Sequence, residues 1–171
     1  MKGALDIHRE LLACDVPHEI VRLPRMILHA DELPDALGLS PTYCVVVRVY
    51  VADGRLVTVM MPAGQTPDPA ALLGAVGAGT LHAATGEEVN AATDYAAGLV
   101  APLLLPAALP LLADASLRRP DVLYTSTGDT GTALGIHSAD LLSISGAQIV
   151  DVTRSAAIMI DITESASEFS G

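Results

Sequence analysis

The stretch from Cys44 to Val51, Cys-Val-Val-Val-Arg-Val-Tyr-Val, constrains the fold more than any other part of the chain. β-Branched side chains lose rotamer freedom in a helix and pack well on a pleated surface, so this run is read as a strand. Asp53-Gly54 follows, a dipeptide favoured in two-residue hairpin turns, and Arg55 to Met61 returns as the partner strand. A strand with one wet face would alternate apolar with polar residues. The nearly unbroken apolar run instead predicts burial on both faces and a central place for the hairpin.

Around that hairpin the sequence predicts short elements. Ala4, Ile7, Leu11 and Cys14 share one stripe of a helix over residues 4–14, ended by Val16-Pro17. His18 to Leu23 reads as a strand, and Asp31 to Leu37 as a helix with Pro34 in its first turn and Gly38 as its stop. Asp68 and Pro69 open a helix that runs from Ala70 to Val76. Thr85 and Glu88 form a capping box for a helix to about Ala92. Strands are expected at Val122–Ser126, Thr132–Ile136 and Gln148–Val152, with Ser138 capping a helix over Ala139–Ile144. Helices and strands alternate irregularly about a sure hairpin, which implies a mixed α/β domain rather than a regular doubly wound sheet.

At 171 residues, one domain is expected, with a tail from residue 155 that holds a single apolar run, Ala156 to Ile160. A hydrophobic fraction of 51% excludes disorder as the main state. Nine Lys+Arg against 20 Asp+Glu, a net charge of -11, argue against a general DNA or RNA binder, which needs cations to displace phosphate counterions. Only 3% of residues are aromatic, so base-stacking platforms are not expected. Cys14 and Cys44 make no disulfide framework, and Asp6 interrupts the opening where a signal peptide needs its apolar run; a cytoplasmic location is expected. Residues 95–113 carry no charge, yet Gly98, Pro102, Pro106 and Pro110 forbid a continuous membrane helix there. That segment is read as buried, irregular or extended core.

The residues alone suggest little chemistry. His8, His18, His29, His82 and His137 stand at no metal-ligand spacing, and no nucleophile elbow, P-loop or dinucleotide fingerprint occurs, so no metal or cofactor is expected. Cys44 opens a buried strand with no adjacent base: it reads as a small core residue, or else as a thiol nucleophile. Gly98-Leu-Val-Ala-Pro102 and Ser126-Thr-Gly128-Asp-Thr-Gly131 are either plain turns or loops that offer main-chain N–H groups to a carbonyl.

Taken in order, the landmarks resemble one family. They are Val16-Pro17-His18, Asp31-Glu32 before Leu37-Gly38-Leu39, the hairpin about Asp53-Gly54, and Met61-Pro62-Ala63-Gly64-Gln65 before Asp68. They continue with Glu87-Glu88-Val89, Thr93-Asp94-Tyr95 running into Gly98 and Pro102, Tyr124 to Gly128, and Ser138-Ala139-Asp140-Leu141. Over residues 4–154 the chain is similar to the YbaK/ProX-type aminoacyl-tRNA deacylases, relatives of the editing insertion of bacterial prolyl-tRNA synthetases. The resemblance implies a curved, mixed, largely antiparallel β-sheet or barrel with short helices around it, in one domain over residues 1–154. It implies trans-editing: metal-free, substrate-assisted hydrolysis of the ester on the 3′ end of a mischarged tRNA.

Carried over by position, Gly98, Ser126 and Gly128 would be the catalytic residues, while His29, Cys44 and Pro102 would line the substrate pocket. Cys44 stands where the family has its signature lysine, Ala133 where close relatives have an acidic residue, and His29 where relatives often have an apolar or aromatic pocket residue. Where relatives carry basic residues, Leu103 to Ala108 are apolar. Segment 99–112 is therefore either deeper core or an interface for a homodimer or a protein partner. A relative that keeps the pocket and binds without turnover is the alternative function. No DNA and no membrane partner is expected.

Overall fold

The computed structural model describes residues 1–153. Its eight strands, β1 (His18–Arg22), β2 (Cys44–Ala52), β3 (Arg55–Pro62), β4 (Leu81–Ala83), β5 (Leu111–Asp114), β6 (Val122–Ser126), β7 (Thr132–His137) and β8 (Gln148–Val150), form one mixed sheet. The order is β1-β7-β6-β2-β3-β5-β8, with β4 also paired to β2. The β1/β7, β6/β7, β2/β3 and β2/β4 pairs are antiparallel, while β2/β6, β3/β5 and β5/β8 are parallel. Of the expected sheet or barrel, the structure is the open sheet: β1 and β8 are its two ends.

The hairpin is central, as its apolar run predicts. Asp53 and Gly54 both have positive φ (48° and 79°), the conformation of a type I′ turn. Side chains of β2 and β3 alternate between two cores. Val46 and Met61 join Leu23, Ile27, Leu33 and Leu72 on one face. Val45 and Met60 join Ile7, Leu11, Tyr95 and Leu134 on the other.

Five α-helices pack around the sheet: α1 (Ala4–Ala13), α2 (Leu33–Leu37), α3 (Pro69–Val76), α4 (Gly86–Thr93) and α5 (Ser138–Ile144). Several boundaries differ from the sequence reading. The helix expected over Asp31–Leu37 splits into a 3-10 turn at Ala30–Glu32 and α2. Ser138 is the first residue of α5 rather than its cap: the extended residue before the helix is His137, which makes no side-chain cap hydrogen bond. The last strand stops at Val150 because the Val152 and Thr153 amides turn to the buried carboxylate of Asp114. Residues 95–113 are buried or irregular until they become β5, and β4 was not anticipated. The apolar tail run at 156–160 lies outside the described residues.

One detail of register positions the site. On one edge β2 is paired to β6 only at Cys44 and Val45, and to β4 only from Tyr50 to Ala52. Between these partners the sheet opens along the middle of β2.

Candidate functional site

The opening in the sheet becomes a cleft of about 360 Å³. Its floor is Val46 to Tyr50 of β2, and His29, Asp31, Gly86 and Gly98 stand on its walls. This volume is at the lower end of the roughly 300–1,000 Å³ usual for small-molecule sites. A larger hollow, about 560 Å³, lies at the far end of the hairpin between Ala52–Val57 and Ala75–Ala78, and none of the expected site residues line it.

The wall carrying His29 is pinned by hydrogen bonds. Leu23 and Ile27 donate their amides to the carbonyls of Gly131 and Thr130, tying the segment to the loop after β6. Glu32 then takes the Leu28 and His29 amides on one carboxylate oxygen (2.8 and 3.0 Å) and Arg25 on the other (3.0 Å). The two amides and Arg25, in that order, pull the Glu32 carboxyl down to about 2. Gly98 fits against this wall only because it has no side chain. A methyl group there would lie 2.2 Å from the Leu28 carbonyl oxygen and 2.7 Å from His29 Nδ1.

Arg48 and Asp31 brace the floor to the wall. Arg48 donates through Nη1 and Nη2 to the two Asp31 oxygens (3.1 and 3.0 Å) and through Nε and Nη2 to the Gln65 carbonyl (2.9 and 2.6 Å). Asp31 also accepts the Gly64 amide at 2.9 Å. Partial burial opposes ionisation of Asp31, but Arg48 and the Gly64 amide outweigh it and hold the carboxyl below its ordinary value. The pair therefore contributes both signs of charge to the cleft and little net charge.

The two loops singled out in the sequence are joined. Ser126 donates its hydroxyl to the Val100 carbonyl at 2.9 Å, and Ser126 is fully buried. Within the first loop the Leu99 amide is spent on the Ala96 carbonyl (2.8 Å). Gly128 has φ +94°, and a methyl group there would meet the Lys2 carbonyl oxygen at 2.4 Å and the Tyr95 ring at 2.8 Å. Of the six expected site residues, His29 and Gly98 meet on the cleft wall. Ser126 and Gly128 do not line the cleft, and Pro102 is buried beside a separate hollow at Leu103–Pro106.

Cys44 has no exposed surface, and burial pushes its thiol up to about 11, which does not suit a nucleophile. Ala133 is likewise fully buried. Leu103 to Leu105 are buried or half-buried against the protein's own elements, and only Pro106 to Ala108 are continuously exposed.

Sequence reasoning did not anticipate the Arg48–Asp31 brace. The available signal was a lone charge inside an apolar strand, because an arginine there needs a buried or half-buried partner. Among the described residues, no group of three or more His, Cys, Asp or Glu side chains is placed to hold a metal ion. No helix among them is long and apolar enough to cross a membrane.

Comparison with known proteins gives the site its context. The family model of the aminoacyl-tRNA editing domain matches residues 26–144. No curated protein matches the sequence significantly. Among solved structures, hypothetical protein APE2540 is similar with a TM-score of 0.79 and 21% identity, over 86% of this chain and 99% of that one. A proposed trans-editing enzyme for prolyl tRNA synthetase is similar with a TM-score of 0.71 and 25% identity, over 81% of this chain and 87% of that one.

Proposed function

Because the chain belongs to the aminoacyl-tRNA editing domain family, we propose that it hydrolyses the ester joining a wrongly attached amino acid to the 3′ end of a tRNA. The observation that carries this reading is the cleft at the break in the sheet, where Gly98 and His29 meet on a wall fixed by hydrogen bonds. The trans-editing role proposed for the structural neighbour supports the same chemistry. The 3′ adenosine enters over β2, the ester carbonyl lies at the Gly98 turn, and a ribose hydroxyl of the tRNA helps position the attacking water. Small apolar walls (Val46, Ala83, Ala84, Val89) make side-chain size the basis of choice. One methylene more or less in such a pocket discriminates by about 1–3 kcal/mol.

A panel of mischarged tRNAs tests the proposal. Hydrolysis above the buffer rate is expected for at least one small apolar amino acid, and a flat panel would overturn it. The second reading, a pocket that binds without turnover, is favoured by the sealed cysteine at the position of the family's lysine. It predicts saturable binding of aminoacyl-tRNA with no release of amino acid. Cys44→Lys does not separate the two readings cleanly, since it would place an ammonium group in a fully buried site.

A further inference from the structure

The cleft wall presents an imidazole beside the turn that receives the ester, and we propose that His29 accepts the proton of the hydrolytic water. This inference rests on the hydrolase reading above. Three observations carry it. His29 is exposed on the cleft, and its ring lies so close to Gly98 that a methyl group on that residue would sit 2.7 Å from Nδ1 and 3.2 Å from Cε1. Its main chain is anchored on both sides, with its amide on Glu32 Oε2 and its carbonyl accepting the Glu32 amide at 3.0 Å, which fixes the backbone that carries the ring. The position occupied by lysine in relatives is here a wholly buried thiol and cannot reach a substrate.

Imidazole is the side chain that ordinarily exchanges protons near neutrality. The charges around it are Asp31 and Glu32 on its own segment, each paired, with Arg48 of β2 and with Arg25 respectively. Asp31 is close enough to interact electrostatically with His29. The facing wall from β4, α4 and the Gly98 turn brings the uncharged Ala83, Ala84, Gly86, Val89, Ala97 and Gly98, and the floor adds the Tyr50 phenol, which burial holds above its ordinary value.

In the step, the water oxygen bonds to the ester carbonyl carbon while its proton passes to a ring nitrogen of His29. The carbon–oxygen bond to the ribose then breaks, and the imidazolium returns the proton to the departing ribose oxygen. One water is consumed, and a free amino acid and a tRNA 3′ hydroxyl are released.

Single-turnover rates against pH, on the best mischarged tRNA of the panel, test the assignment. The wild-type rate is expected to rise with pH and level off. His29→Gln should be slower by about 100-fold or more and lack that inflection. His29→Gly should regain part of its rate when free imidazole is added, which a purely packing role would not allow. His29→Gln within about threefold of wild type, or a slow His29→Gly that imidazole does not rescue, would overturn the assignment and leave the hydrolase reading standing. A wild type inactive across the whole panel would overturn both.

Discussion

Gly98 is required as glycine by distance rather than by flexibility: its φ is not in the left-handed region, yet a methyl group would lie 2.2 Å from the Leu28 carbonyl oxygen. Gly98→Ala must therefore move the turn or the His29 wall, at a cost of about 1–3 kcal/mol. A lowered melting temperature together with loss of hydrolysis is expected, and an unchanged rate would contradict the placement of the ester at this turn. Asp114 matters in a different way. Its buried carboxylate accepts the Ser116 amide, the Ser116 hydroxyl, the Val152 and Thr153 amides and the Thr153 hydroxyl.

Burial alone would raise the Asp114 carboxyl; these donors outweigh it and hold it below the ordinary value of 3.8. A carboxyl depressed in the folded state contributes stability that is fully present above its unfolded value and is lost as pH falls through the folded one. Asp114→Ala should cost about 2–4 kcal/mol at neutral pH by stranding buried amides. The difference in urea stability between the variant and wild type should shrink below pH 4. A constant difference down to acid pH would contradict this.

At the scale of elements, the segment leading into α1 acts as a strap under the loops that follow Tyr95 and Ser126. Lys2 donates its main-chain N–H to the Asp94 carbonyl at 2.8 Å and its ammonium to the Leu104 carbonyl, and it sits 4.7 Å from the centroid of the Tyr95 ring. Tyr95 donates its hydroxyl to the Leu103 carbonyl at 2.7 Å, and Ala4 donates its amide to Asp129 at 2.8 Å. Leu104 has a positive φ of 58°, an unfavourable conformation for a leucine, and Lys2 holds its carbonyl. Lys2→Met removes the hydrogen bond and the cation–π contact. A loss of about 1–3 kcal/mol in thermal or urea unfolding is expected, and no change would mean the strap carries no load.

None of this was legible in the sequence, where Lys2 is the single lysine at the start of the chain. What was legible had local causes. The β2–β3 hairpin was read from β-branching and one dipeptide, and α4 from its capping box, whose hydrogen bonds form as expected (3.1 and 3.2 Å). β4 has three residues and exists because β2 needs a partner beyond β6, a long-range cause that leaves no local pattern. The Arg48–Asp31 brace spans 17 residues of sequence and was invisible for the same reason, although Arg48 itself stood out inside its apolar strand.

The whole molecule carries a net charge of -11, which opposes holding tRNA on a broad cationic surface. If the proposed recognition is confined to the 3′ end, it involves one or two phosphate contacts. The logarithm of kcat/KM against the logarithm of salt concentration should then have a slope of about -1 to -2, and a much steeper slope would reveal a basic tRNA surface not accounted for. The fold class followed from the sequence because the resemblance and the apolar pattern agreed. The cleft did not, because it arises where two strands stop short along the edge of a third.

The proposed hydrolytic site is the break in the sheet and not the larger hollow at the hairpin tip. Backbone NMR of the protein titrated with a non-hydrolysable 3′-aminoacylamino adenosine tests it most directly. Shifts concentrated at His29, Asp31, Val46–Arg48 and Gly98 are the expected result. Shifts centred on Ala52–Val57 and Ala75–Ala78, with the cleft unmoved, would contradict it.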